Sequence, residues 1–399
     1  MRDGGAVQDG GVVGEDRVER SGGRFGPLRK HWLLTSAVAL ALLATATAVP
    51  LVLAGSGSGE DAPCQEIPAS TRALATDPAA ATRALDPGDD MSRYPAVRRL
   101  IRHENPCGDG AEVLGDVVVA ATVAARRGTP HTIAQARGAY AVVAAMEWAD
   151  VPRAMAPGVA RMLADYVVDE ARYLSTDREA AAPAVTAEQS APDRRGFTEY
   201  GRFLAPGEAH ADFEYADQLA GATAKTEHLV GELVKDPEAF AILYDAERAY
   251  FAHYLERLTQ QGGDPDWQPD ERPEEWYSST ATTWPDNDLK DIAKRIGALM
   301  QHRAEHTREG DIADLDAFDE AVRRHTRGSY RPAARQLTTR PPMGDIADRA
   351  VSGPVRGDLM DGRHQLFTAL DAWATARRVP EKRAKTMRQI IDNAYVRGV

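Results

Sequence analysis

Cysteine is nearly absent, with two in 399 residues. That excludes a disulfide-rich scaffold and any structural zinc module built on pairs of cysteines. Aromatics make up only 7% of the chain, and β-branched residues rarely run together, which argues against an all-β architecture. Lysine is scarce as well, 7 against 41 arginines. This imbalance reads as a high-GC coding bias, so runs of Arg and Ala carry less functional information than usual. The 48 basic residues fall short of 60 acidic ones, leaving a net charge of −12. Such a chain lacks the broad basic face that neutralises phosphates, and no nucleic-acid partner is expected. No Walker loop, dinucleotide fingerprint, G-x-S-x-G elbow or EF-hand loop occurs, so no cofactor is expected either.

What the chain does contain is one long apolar run. Trp32 to Ala54 reads WLLTSAVALALLATATAVPLVLA, 23 residues without a charge. At about 1.5 Å per residue it reaches roughly 34 Å, enough to cross a ~30 Å hydrocarbon core. Arg20, Arg24, Arg29 and Lys30 precede it, whereas Glu60 and Asp61 follow and the next base is Arg72. That bias places residues 1–31 in the cytoplasm and everything beyond 55 outside. A cleaved signal peptide is the competing reading, because Val52-Leu53-Ala54 offers small residues to a peptidase, and the product would then be secreted. The expected arrangement is a signal-anchor at residues 32–54, with an extracytoplasmic region in a bacterial envelope. Cys64 and Cys107 then share an oxidising compartment and are expected to form one disulfide. Closing a loop of 44 residues is worth about 4 kcal/mol in the chain-entropy description.

Beyond the linker the punctuation is helical throughout, and the fold class expected is all-α. The expected divisions are a disordered tail (1–31), the membrane helix (32–54), a linker and first helical turns (55–92), and a helical bundle (93–262). An acidic Trp/Pro-rich loop (263–286) and a helical lobe (287–399) complete the chain, so the region is one bundle or two lobes. Helices are expected from Asp109 to Arg127, from Thr129-Pro130 to Ala149, from Pro157 to Leu174, over 206–234, and from Asp236-Pro237 to Gly262. Others follow at 287–309, 314–327, 355–378 and 381–397. Phe240, Leu243, Tyr244, Glu247, Phe251, Tyr254, Leu255 and Leu258 recur at three- and four-residue steps as one stripe. Leu289, Ile292, Ile296, Leu299 and Met300 form another. GDIAD occurs at 310–314 and again at 344–348, which marks two similar helix starts rather than a repeat architecture.

Three constellations could carry chemistry. Glu147, Glu170 and Glu247 lie inside apolar stripes, where burial raises a carboxyl pKa and prepares a general acid. Two of them converging would suit glycoside cleavage, and half-buried partners of arginine are the alternative. The absence of any Glu-x-x-His excludes a di-iron bundle site. His302-Arg303-Ala304-Glu305-His306 has the H-x-x-E-H order in which two histidines bind zinc and the glutamate acts as base. The helical wheel opposes it, because Glu305 falls opposite the apolar stripe. Trp267, Trp276 and Trp284 sit in a segment with eight acidic residues and one arginine, Arg272. Aromatic faces bordered by carboxylates suit a sugar, a cationic group or a basic peptide. The functional expectation is an interaction or scaffolding module at the cell envelope, with the membrane and an envelope protein or glycan as partners. An envelope hydrolase using the glutamates is the alternative.

Overall fold

The computed structural model describes residues 64–103, 105–123, 129–172, 180, 182–186, 207–263, 284–326 and 359–399. The Trp32–Ala54 run and the second GDIAD lie outside them. Among the described residues no helix is long and apolar enough to cross a membrane. All of them fall within one compact unit, Asp61–Val399, which is mostly helical.

The first helices are α1 (Ala69–Leu74), α2 (Pro78–Leu85), α3 (Tyr94–Ile101), α4 (Gly110–Thr122) and α5 (Ile133–Met146). Then come α6 (Ala156–Asp165), α7 (Val167–Arg172), α8 (Thr226–Leu233), α9 (Pro237–Arg257), α10 (Trp284–Glu309) and α11 (Leu315–His325). The last two, α12 (Gly362–Arg377) and α13 (Glu381–Gly398), form an antiparallel hairpin against α10. Starts follow local chemistry. Asp77, Asp236, Asp314 and Asp361 each accept backbone N–H bonds from the first turn, and Thr132 with Gln135 forms a capping box. Asp109 departs from its expected cap role: its carboxylate takes Arg72 at 2.7 Å instead.

Two expected helices end early or start late. The helix from Asp109 stops at Thr122, and the next begins at Ile133, behind the Thr132 cap. The larger correction concerns 206–234, where only Thr226–Leu233 is helical. Within 207–225 the chain makes β2 (Ala209–Ala211), antiparallel to β1 (Ala184–Thr186), and a small pair of β3 (Ala216–Asp217) with β4 (Ala222–Thr223). Register in the first pair runs Ala184 to Ala211, Val185 to His210 and Thr186 to Ala209. Alternation at Glu208, His210 and Asp212 suits a strand, and Gly207 and Gly221 at positive φ suit the turns around it.

The core is centred on α9, whose whole circumference is buried between α6, α10, α11 and α12. Every residue of its expected stripe, and of the Leu289-to-Met300 stripe on α10, is buried. Two helix crossings are set by glycine. Gly115 on α4 meets Gly158 on α6 so closely that a Cβ on Gly158 would stand 2.5 Å from the Gly115 backbone. Gly297 on α10 and Gly398 on α13 likewise face backbone of the opposite helix. The first helices are pinned by the Cys64–Cys107 disulfide, which spans 43 positions with Cα atoms 5.0 Å apart. Backbone bonds from Gln65 N to Asn105 O (2.7 Å) and from Cys107 N to Gln65 O (2.9 Å) run beside it.

Two outcomes follow for stability. Replacing both cysteines by serine in the full chain should lower its unfolding free energy by about 4 kcal/mol, read from chemical denaturation. Gly158→Ala forces α4 and α6 apart and should cost about 1–3 kcal/mol by the same measurement.

Candidate functional site

The densest chemistry lies where α6, α7, α9, α10 and β2 meet. Glu170 on α7 is 1% exposed and Glu247 on α9 is 2% exposed, and both reach the buried guanidinium of Arg295 on α10. Arg295 donates through one terminal nitrogen to Glu170 Oε1 and through Nε to Glu247 Oε1 at 3.4 Å. Burial pushes the Glu247 carboxyl well above its ordinary range, and Glu247 Oε2 has no hydrogen-bond partner among the described residues. Burial lowers the Arg295 guanidinium to about 9, which leaves it charged at neutral pH. Two of the three expected glutamates thus come together, with a cation between them. Glu147 belongs to a different group: it is the C-cap of α5 and stands 4.0 Å from Lys225.

Beside this triad are two imidazole–carboxylate pairs that the sequence reading did not single out. His131 Nε2 donates to Asp165 Oδ2 at 2.6 Å, and its ring stacks on Tyr166 with centroids 4.4 Å apart. His210 Nδ1 donates to Asp169 Oδ1 at 2.7 Å, while Asp169 Oδ2 accepts the Ala211 N–H at 2.9 Å. Glu208 Oε1 lies 3.9 Å from His131 Nδ1. All of these side chains are at most 5% exposed. Burial opposes charging His131, but the hydrogen bond to Asp165 and the charges of Asp165, Glu208 and Asp169 outweigh it and raise its pKa. The signal in the sequence was the alternating Glu208-x-His210-x-Asp212, charged where a core-facing strand position is normally apolar.

A second group lies at the surface. Trp148 follows the α5 C-cap with φ 59°, a left-handed conformation unusual for a bulky residue, and is 66% exposed. Backbone bonds from Glu147 N to Ala144 O and from Ala149 N to Met146 O close the turn that holds it. Its indole lies 5.2 Å from the His228 ring and 5.4 Å from the Lys225 ammonium. One exposed aromatic is therefore bordered by an imidazole, an ammonium and, through Lys225, the Glu147 carboxylate.

No family model, curated protein or solved structure matches this chain.

The remaining expected residues are placed as follows. Trp267 and Trp276 lie outside the described residues, and of Trp284 only the backbone is described, as the first residue of α10. His302 packs over Gly231 and burial lowers its pKa. Glu305 accepts from Gln301 at 2.9 Å and lies 3.4 Å from His302 Nδ1. His306 turns instead toward Glu309 and Asp311, at 3.6 and 3.0 Å. Several bases of the C-terminal hairpin are engaged within the fold, with Arg383 on Asp286, Arg388 on Asp371 and Arg377 on Glu256.

The buried groups set a pH dependence whose sign is determined. Glu247, His131 and Glu256 all have folded pKa values raised above their ordinary ones, Glu256 through burial that outweighs Arg377. Each contributes stability that is present below its unfolded pKa and is lost as pH rises through the folded value. As pH rises out of the ordinary carboxyl range, the fold should lose stability at up to about 1.4 kcal/mol per unit for each titrating group. Glu247→Gln keeps the shape without the ionisation, so its denaturation midpoint should fall less steeply as pH rises.

Proposed function

We propose that this chain is an interaction module of the bacterial envelope, anchored by residues 32–54 with its helical region outside the cytoplasm. In the alternative topology, cleavage near Ala54 releases the same region. The ligand-facing element in this reading is Trp148, and the observation that carries it is exposure combined with backbone strain. A tryptophan held at positive φ costs on the order of 1–3 kcal/mol, and this one keeps its indole 66% exposed. An indole face bordered by ammonium, imidazole and carboxylate suits a saccharide ring with polar substituents, which stacks on the aromatic and hydrogen-bonds at its rim. A cell-wall glycan is the partner this chemistry favours.

The alternative, an envelope hydrolase working through buried glutamates, draws on the meeting of Glu170 and Glu247. Arg295 between them accounts for both carboxyls as a buried ion-pair network, a commoner role for such groups than catalysis. A zinc peptidase through His302, Glu305 and His306 draws on the sequence order alone.

Trp148→Gly separates ligand contact from folding. Glycine adopts the left-handed conformation freely, so the variant should be as stable as the parent or more stable by about 1 kcal/mol. Soluble cell-wall oligosaccharides titrated into the detergent-solubilised full chain should shift its tryptophan fluorescence, and the glycine variant should lose that response. Equal responses from both proteins would sink the assignment of Trp148 as the contact.

A further inference from the structure

We infer that His306, Glu309 and Asp311 form a binding site for a divalent transition-metal ion of the Zn²⁺ class. One ligand atom from each of these side chains lies within 4.8 Å of the others. The site is built by the end of α10. Glu309 is its last residue, and Gly310, with φ 90°, reverses the chain so that Asp311 folds back over the preceding turn. Gly310 N and Ile312 N both bond to the His306 carbonyl, at 3.1 and 3.0 Å, which fixes that return. Arg153 holds the Asp311 backbone carbonyl from the far side at 3.3 Å.

The state of the His306 ring comes from outside the cluster. Its Nε2 lies 2.9 Å from the Gly231 carbonyl of α8. A carbonyl only accepts, so Nε2 carries the proton. Nδ1 then points at two carboxylates, with Asp311 Oδ2 at 3.0 Å and Glu309 Oε2 at 3.6 Å. With Nε2 donating to Gly231, the Nδ1 lone pair and the two carboxylates face one another, a donor set that one cation can share. A ring nitrogen tied back to a backbone carbonyl is the usual outer support of a histidine metal ligand.

The distances suit the ion. Tetrahedral zinc with bonds of about 2.1 Å holds its ligand atoms roughly 3.4 Å apart, and the two nitrogen–oxygen separations bracket that spacing. One nitrogen and two carboxylate oxygens favour zinc or a neighbouring first-row ion over calcium or magnesium, which take oxygen alone. Glu309 and Asp311 side chains are 67% and 44% exposed, leaving water access to the remaining coordination position. Lys235, shared with Glu232 at 2.7 Å, reaches Asp311 Oδ2 at 3.7 Å and competes for the same carboxylate. His302, one turn back, is not a member of the group, so the ligand set differs from the H-x-x-E-H pair.

The probe is Zn²⁺ alone, titrated by calorimetry into the full chain in detergent at neutral pH. The expected result is uptake of one ion that Asp311→Asn weakens severely, Glu309→Gln weakens, His302→Gln leaves unchanged and Lys235→Met tightens. Both carboxylate variants change exposed residues, so they test the site without depending on the fold surviving loss of His306. Nitrogen NMR of the labelled histidines gives the second readout: with Zn²⁺ in excess, His306 Nδ1 should shift as a metallated nitrogen. Absence of uptake, uptake indifferent to Asp311→Asn and Glu309→Gln, or an Nδ1 without a metallated shift under excess Zn²⁺ would overturn the site.

Discussion

The interior of this protein depends on how one guanidinium is kept out of water. Arg295 projects from α10 into the junction with α7 and α9, where it is buried. Moving such a charge from solvent costs several kcal/mol, and only close, well-aligned acceptors offset it. Glu170 supplies one from α7 and Glu247 another from α9. A second full negative charge at the same place would leave the junction anionic, and burial pushes the Glu247 carboxyl well above its ordinary range. Removing either acceptor strands the cation, a change that typically costs 3–5 kcal/mol. A slip of α10 by one residue would rotate Arg295 about 100° away from both. The three helices are thus held in a single register by a contact that apolar packing alone would not specify.

Apolar packing supplies the rest of the geometry. The Gly115–Gly158 and Gly297–Gly398 approaches bring helix backbones together where any side chain would separate them. Close approach on α4 and α6 places Asp165, at the end of α6, against His131 in the segment leading into α5. β2 then closes the same region from the side, with Ala209 N on the His131 carbonyl and His210 on Asp169. The polar interior is therefore continuous with the helix crossings around it and shares their precision.

Much of this was legible beforehand because it rests on local rules. The apolar steps along α9 and α10, the Asp-Pro start of α9, the Asp314 cap and the meeting of the two cysteines all follow from spacing and side-chain chemistry. β2 was read as helix because its alternation places charged residues inward, the reverse of the usual pattern, and both of its faces are buried. Glu170 and Glu247 were recognisable as buried acids, but their common partner lies 125 and 48 positions away along the chain. Trp148 stayed hidden because a helix C-terminus followed by tryptophan carries no mark of positive φ. The H-x-x-E-H spacing directs attention to Glu305, whereas the turn at Gly310 brings Glu309 and Asp311 up to His306.

The Cys64–Cys107 bond has a mechanical meaning. Any tension on the chain ahead of residue 64 meets a covalent short cut there and passes to Cys107, at the doorstep of α4. Helices α1, α2 and α3 lie inside the bridged segment and off the load path. They can pack or loosen without lengthening the tether, and force arrives directly at the helix whose Gly115 is locked against α6. The disulfide thus decides that load enters the helical region at the start of α4, ahead of its crossing with α6.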